Sequence, residues 1–267
     1  MQGLGENYRG VIDRAYDTGM SNESITRAAI QRLLTSIEMR DLRAVREALH
    51  PDATWQNVPH LPAGDRDAIM HLLHPILCWS DRVQWDVLSS SVSGTMGWYE
   101  RLDRFWLAGT EYAVPCNGVL TVDPVSQTVL SMRDYADVGE WRSRVEPALN
   151  ALANRDAEAV VARHLEAVKQ RDPVKMAADY HLDATLQRAN ARYCGWYAIA
   201  DYFGSMPSRL GTRILSVGMI ESPEPGSAKV SWEIAQGAAA TASGTDTFRV
   251  TDGRISHQLT ELDGADF

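Results

Sequence analysis

Arg101 and Asp103 stand two residues apart in Tyr99-Glu100-Arg101-Leu102-Asp103, a segment that alternates as a β-strand does. Side chains at i and i+2 of a strand point to the same face, so Tyr99, Arg101, Asp103 and Phe105 should share one surface. A charged pair between two aromatics suits a polar site in a largely apolar pocket. A second carboxylate lies in Leu130-Ser131-Met132-Arg133-Asp134-Tyr135, also strand-like, with Leu130 and Met132 expected on the face of Asp134. Two carboxyls and an arginine can supply an acid, a base and the cation that bridges them.

The elements that must hold these residues occur twice. Arg40-Asp41-Leu42-Arg43-Ala44-Val45 leads to Pro51-Asp52-Ala53-Thr54-Trp55-Gln56-Asn57, and Arg171-Asp172-Pro173-Val174-Lys175-Met176 leads to Leu182-Asp183-Ala184-Thr185-Leu186-Gln187-Arg188. Both ends of the match share one offset (172 − 41 and 183 − 52, each 131). A repeat of domain length points to duplication rather than to a solenoid. Each half reads as a helix (Ile25, Ala29, Leu33 and Ile37 in the first), then a short helix capped by an aspartate, then a brief strand. A further helix after Gly64-Asp65 in the first half, and longer strands, complete the plan. Asp123-Pro124 and Asp252-Gly253 mark hairpins before the final strands. Helices followed by a curved antiparallel or mixed sheet define an α+β class. The expected organisation is a leader over residues 1–20, a first domain over 21–148 and a second over 149–267, with the join within 143–156.

The 267 residues carry a net charge of −9 and are 45% hydrophobic. That charge, with no Lys/Arg cluster against it, argues against nucleic acid or an anionic membrane as partner. No apolar run approaches the roughly 18 residues of a membrane span, and the first residues lack the pattern of a secretory signal. A cytoplasmic location is expected. Cys78, Cys116 and Cys194 have no ligand spacing and read as reduced, buried thiols. His71 and His74, with His60 nearby, lack an ordered carboxylate or cysteine partner, so no metal site is expected. A Gly-rich phosphate loop and a Gly-x-Ser-x-Gly elbow are both absent, and no organic cofactor is expected.

The first half resembles limonene-1,2-epoxide hydrolase, within the cone-shaped α+β superfamily of nuclear transport factor 2, SnoaL and ketosteroid isomerase. The words that carry the resemblance are Trp55-Gln56-Asn57-Val58-Pro59, Gly64-Asp65-Arg66-Asp67-Ala68, Tyr99-Glu100-Arg101-Leu102-Asp103 and Arg133-Asp134-Tyr135-Ala136-Asp137, in that order. The resemblance implies that Asp134 is the general base, Asp103 the acid that protonates an epoxide oxygen, and Arg101 the bridge. It places Asn57 and position 55 at the attacking water. That family has a tyrosine where this chain has Trp55, and an indole donates a hydrogen bond but accepts none. Tyr99, Trp85, Trp98 and Trp106 are expected as core or pocket wall, Tyr99 beside the substrate.

The implied reaction is opening of an epoxide in an apolar, terpenoid or polyketide-like molecule, by hydrolysis to a vicinal diol. An altered water site leaves a second course open, in which an internal hydroxyl of the substrate attacks and a cyclic ether forms. A non-catalytic binding protein for a hydrophobic metabolite is the alternative of a different class.

The second half resembles the SnoaL-like branch without these residues: Arg188 replaces Asn57, Leu186 replaces Trp55, and Thr260 falls opposite Asp134. Glu233 and His257 are its nearest reactive candidates. It reads as a non-catalytic partner in an intramolecular pseudo-dimer, with homodimerisation of the whole chain left open.

Overall fold

The computed structural model describes residues 21–264 apart from Asn190 and Ala238. The expected leader over residues 1–20 lies outside the described residues. Two compact units meet at Val145/Glu146.

In the first unit, α1 (Asn22–Glu38) is capped by the Ser21 hydroxyl and buries Ile25, Ala29, Ile30, Leu33, Leu34 and Ile37 along one stripe. The three-to-four-residue recurrence of these side chains is what makes the stripe continuous. Arg40 then turns the chain in the left-handed region (φ 56°), and Asp41 caps α2 (Leu42–Ala48) through the amides of Arg43 and Ala44. β1 (Leu49–Asn57) follows, then α3 (Arg66–Trp79), capped by Asp65. β2 (Ser80–Ser93), β3 (Met96–Leu107), β4 (Thr110–Asp123) and β5 (Thr128–Ala136) form the rest of the sheet. Its order is β1-β5-β4-β3-β2, with β1 parallel to β5 and every other pair antiparallel.

The second unit repeats the plan after α4 (Glu146–Ala153). Asp156 caps α5 (Ala157–Gln170), Arg171 takes a left-handed turn (φ 57°), and Asp172 caps α6 (Pro173–Ala178). Arg40 and Arg171 are 131 positions apart, so the duplication extends to an unusual backbone conformation. β6 (Tyr180–Arg188), β7 (Ala191–Cys194), α7 (Trp196–Leu210), β8 (Ile214–Val217), β9 (Ser227–Gln236), β10 (Ala239–Thr251) and β11 (Arg254–Leu262) follow. Here the order is β7-β6-β11-β10-β9-β8, with β6 parallel to β11. The class is α+β in both units, each a mixed sheet with helices.

The hairpin between β10 and β11 turns at Asp252 (φ 47°) and Gly253 (φ 64°), the positive-φ pair that a two-residue β-turn requires. Gly253 also packs on the Leu152 carbonyl, leaving no room for a Cβ.

Sheet register aligns the two units residue by residue. Asn57 lies across from Asp134, and Arg188 across from Thr260. Gly118 pairs with Asp134, and Asp246 with Thr260. Arg101 pairs with Cys116, and Trp232 with Gly244. Asp246 therefore occupies the place of Gly118, and Trp232 the place of Arg101.

Candidate active site

Strand β3 alternates strictly: Tyr99, Arg101, Asp103 and Phe105 point inward, and the residues between them are less buried. Trp98 and Trp106 fall on the outer face by the same alternation. They are not core, and Trp106 lies under the Arg82 guanidinium at 4.7 Å. In β5 a bulge at Leu130 breaks the simple alternation, as Val129 pairs with Val122 and Ser131 with Thr121. Val129 is thereby buried and Leu130 only half-buried, while Met132 and Asp134 still point inward.

Arg101 must cross β4 to reach Asp134. Its Nε and Nη2 donate to Oδ1 and Oδ2 of Asp103, each at 3.0 Å, and Nη2 also donates to Asp134 Oδ1 at 3.1 Å. Gly118 makes this possible, because a Cβ there would overlap Arg101 Nη1 and lie 2.8 Å from Asp134 Oδ1. The guanidinium stacks on the Trp85 ring at 4.5 Å, and Trp85 meets Trp55 edge to face with ring centres 6.3 Å apart. Arg101 Nη1 has no hydrogen-bond partner among the described residues.

All three charges are withdrawn from water: Arg101 is 0%, Asp134 4% and Asp103 8% exposed. Burial pushes the Asp134 carboxyl up to about 6, against the pull of Arg101, and the nearby Asp103 adds to the rise. Burial raises Asp103 as well, and its two-pronged contact with Arg101 opposes the rise. Burial alone would lower Arg101, but Asp134 and Asp103 together drive it up, so it stays charged. One cation between two buried carboxyls favours retention of one proton, and the pair titrates as a unit.

Trp55, delivered by β1, donates its Nε1–H to Asp134 Oδ2 at 3.1 Å. The Cys116 thiol, raised by burial and by Asp134, hydrogen-bonds within the same group and receives Arg101 Nη2 at 3.4 Å. Asn57 sits at the exposed end of β1 opposite Asp134, outside the hydrogen-bonded group. Tyr99 is buried on the same face as Arg101, and the Arg27 charge acts on its hydroxyl. The structure thus gathers Arg101, Asp103, Asp134 and Trp55, with Asn57 at the rim and Tyr99 one inward position along the strand.

Cys116 and Gly118 escape a reading of the sequence. Asn117 separates them, and their importance appears only once β4 is known to lie between β3 and β5. The cysteines also differ from expectation: Cys116 is buried, Cys78 half-buried and Cys194 exposed, all as free thiols.

In the second unit the two reactive candidates lie off the inward face. Glu233 is exposed. His257 Nδ1 lies 2.6 Å from Thr185 Oγ1, on the face opposite Gln258 and Thr260. The inward positions are instead Trp232, Ile234, Gln258 and Thr260.

A SnoaL-like domain model matches residues 161–258, so the second unit carries a SnoaL-like domain. None of the curated proteins matches the chain. Similar solved structures include an LEH-like epoxide hydrolase of M. tuberculosis, 22% identical, covering 49% of this chain and 96% of its own, with a TM-score of 0.40. A protein of Shewanella denitrificans named for SnoaL-like polyketide cyclases is 11% identical over 46% of this chain and 98% of its own (TM-score 0.42). Bal32a, from a soil-derived mobile gene cassette, is 14% identical over 46% and 98% (TM-score 0.41). Among the described residues no helix is long and apolar enough to cross a membrane.

Proposed function

We propose that the first unit opens an epoxide in an apolar small molecule by paired acid–base catalysis. The observation that carries this reading is the buried Arg101 bridging the buried carboxyls of Asp103 and Asp134. The reactive form holds the shared proton on Asp103. Asp103 gives that proton to the epoxide oxygen as the carbon–oxygen bond breaks. Asp134 takes the proton of the attacking hydroxyl as the new carbon–oxygen bond forms. Arg101 stays charged and holds both carboxylates in place. The step leaves the proton on Asp134, the carboxyl on which burial already favours it. Return of that proton to Asp103 resets the site. Acid–base assistance of this kind is worth about 10²–10⁴-fold in rate.

With water as nucleophile the product is a vicinal diol, and Asn57 at the rim positions the water. The Trp55–Asp134 bond favours a second course. It fills one lone pair of the base with a group that cannot also accept from water, which suits a hydroxyl carried by the substrate and gives a cyclic ether.

The test is turnover of terpenoid and polyketide-like epoxides by Asp103→Asn and Asp134→Asn, beside binding of the same compounds. Loss of turnover with binding kept supports the enzyme, whereas unchanged turnover in both variants rejects this site.

A further inference from the structure

The strand that separates the two carboxyls contributes a single polar side chain to the group they form. β4 runs between β3, which carries Arg101 and Asp103, and β5, which carries Asp134. Its inward positions on this stretch are Val114, Cys116, Gly118 and Leu120. Val114 pairs with Asp103, and Gly118, which has no side chain, pairs with Asp134. Cys116 stands between these two, opposite Arg101 on β3 and Ala136 on β5. The register therefore sets its thiol diagonal to both carboxyls, on the face they share.

Cys116 is buried. Its sulfur accepts from Arg101 Nη2 at 3.4 Å, and the same nitrogen donates to Asp103 Oδ2 and to Asp134 Oδ1. With the sulfur accepting from a cation, its own hydrogen is left to donate, and the acceptors beside it are carboxylates. Burial raises both carboxyls and Arg101 draws both back; a hydrogen bond from the Cys116 thiol acts on each in the same direction as Arg101. Burial also raises the thiol, Asp134 and Asp103 add to that rise and Arg101 opposes it, so the sulfur keeps its hydrogen.

One thiol hydrogen serves one carboxylate at a time. The reaction proposed above moves the charge, since Asp134 is ionised before the step and Asp103 after it. A donor committed to one carboxylate favours one side of that exchange, as the Trp55 indole does for Asp134.

We propose that Cys116 is a positioning residue whose single S–H turns to whichever of Asp103 and Asp134 carries the charge. The turn is a rotation about the Cβ–Sγ bond. It moves no heavy atom, and the sulfur neither gains nor loses a proton. In the reactive form the S–H meets Asp134 and steadies the base. After the step it meets Asp103 and steadies the carboxylate that the proton has left. This role rests on the acid–base reading of the first unit and adds to it a donor that follows the charge.

The test is infrared titration of the full chain without substrate, beside Cys116→Ala, which removes the donor, and Cys116→Ser, which supplies a stronger one. Thermal unfolding establishes that each variant is folded. The Cys116 S–H band is the difference between chains with and without Cys116→Ala, taken also in the Asp103→Asn and Asp134→Asn backgrounds. The expected band lies below that of a free thiol in all three, because the S–H turns to the carboxylate that remains. The carboxyl band of the pair, isolated against Asp134→Asn, should show proton uptake at higher pH in Cys116→Ala and at lower pH in Cys116→Ser, since a donor favours ionised carboxyls. The expected displacement is about half a pH unit or more each way, about threefold in proton affinity.

A band at the free-thiol position, or one that returns to it in either aspartate variant, overturns the proposal. So do uptake midpoints that stay in place or move the same way in both cysteine variants. The bands report on the thiol with no epoxide present, whereas turnover in Asp103→Asn and Asp134→Asn reports on the acid–base reading, so the two fail separately.

Discussion

Trp55 Nε1 donates to Asp134 Oδ2 at 3.1 Å, so the proposed base is held by an indole from the neighbouring parallel strand. This bond orients the carboxylate and favours its ionised form. It also bears on the choice of nucleophile, because the indole cannot accept a hydrogen bond from a water. Trp55→Tyr supplies a hydroxyl that both donates and accepts. The expected outcome is a larger share of diol relative to cyclic product, read by chromatography of the products of one hydroxy-epoxide substrate. An unchanged ratio would show that position 55 does not govern the choice.

Gly118→Ala puts a methyl group where Arg101 crosses β4. The guanidinium and Asp134 must separate to admit it. The predicted cost is about 1–3 kcal/mol of stability, the range for overpacking, together with loss of most turnover. Urea unfolding and a rate assay read the two effects. A variant of wild-type stability and rate would mean that Arg101 does not bridge the carboxyls in solution.

Folding raises Asp134 from the ordinary 3.8 to about 6, so the folded chain binds that proton more tightly than the unfolded chain. The resulting stability is fully present below about pH 4 and is lost as the pH rises through about 6. At about 1.4 kcal/mol per pKa unit the loss is up to about 3 kcal/mol, less where Asp103 shares the proton. Asp134→Asn should lack this decline. Unfolding free energies of both proteins between about pH 4 and pH 7 provide the comparison, and parallel curves would contradict the shift.

Arg101→Met removes the cation that contacts both buried carboxyls. Both carboxyls should then take up protons more readily, and breaking such a pair typically costs about 3–5 kcal/mol. The expected variant is less stable at neutral pH, recovers part of that loss in acid, and does not turn over epoxide. Stability that falls further in acid would speak against two stranded carboxyls.

The helices and strands are legible in the sequence because their signals are local: aspartate caps at Asp41, Asp65 and Asp172, and strict alternation through Tyr99–Phe105. The candidate triad is legible for the same reason, since two of its members share one strand face. What stays hidden is whatever depends on a neighbouring strand. Gly118 and Cys116 matter only because β4 separates Arg101 from Asp134, and the bulge at Leu130 follows from pairing with β4. Asp246 escapes notice because the last strand is the natural place to seek a second carboxyl, whereas register places it one strand away, opposite Thr260. Glu233 and His257 each miss the inward face by a single residue, which alternation from Trp232 and Thr260 makes plain.

The central claim is tested most directly by incubating epoxides with the protein in ¹⁸O-labelled water and weighing the products by mass spectrometry. The account predicts ring-opened product that depends on Asp103 and Asp134: a diol carrying one heavy oxygen when water attacks, or an unlabelled isomer when the substrate's own hydroxyl does. Product formed equally well by Asp103→Asn and Asp134→Asn, or no ring opening across terpenoid and polyketide-like epoxides, would contradict it.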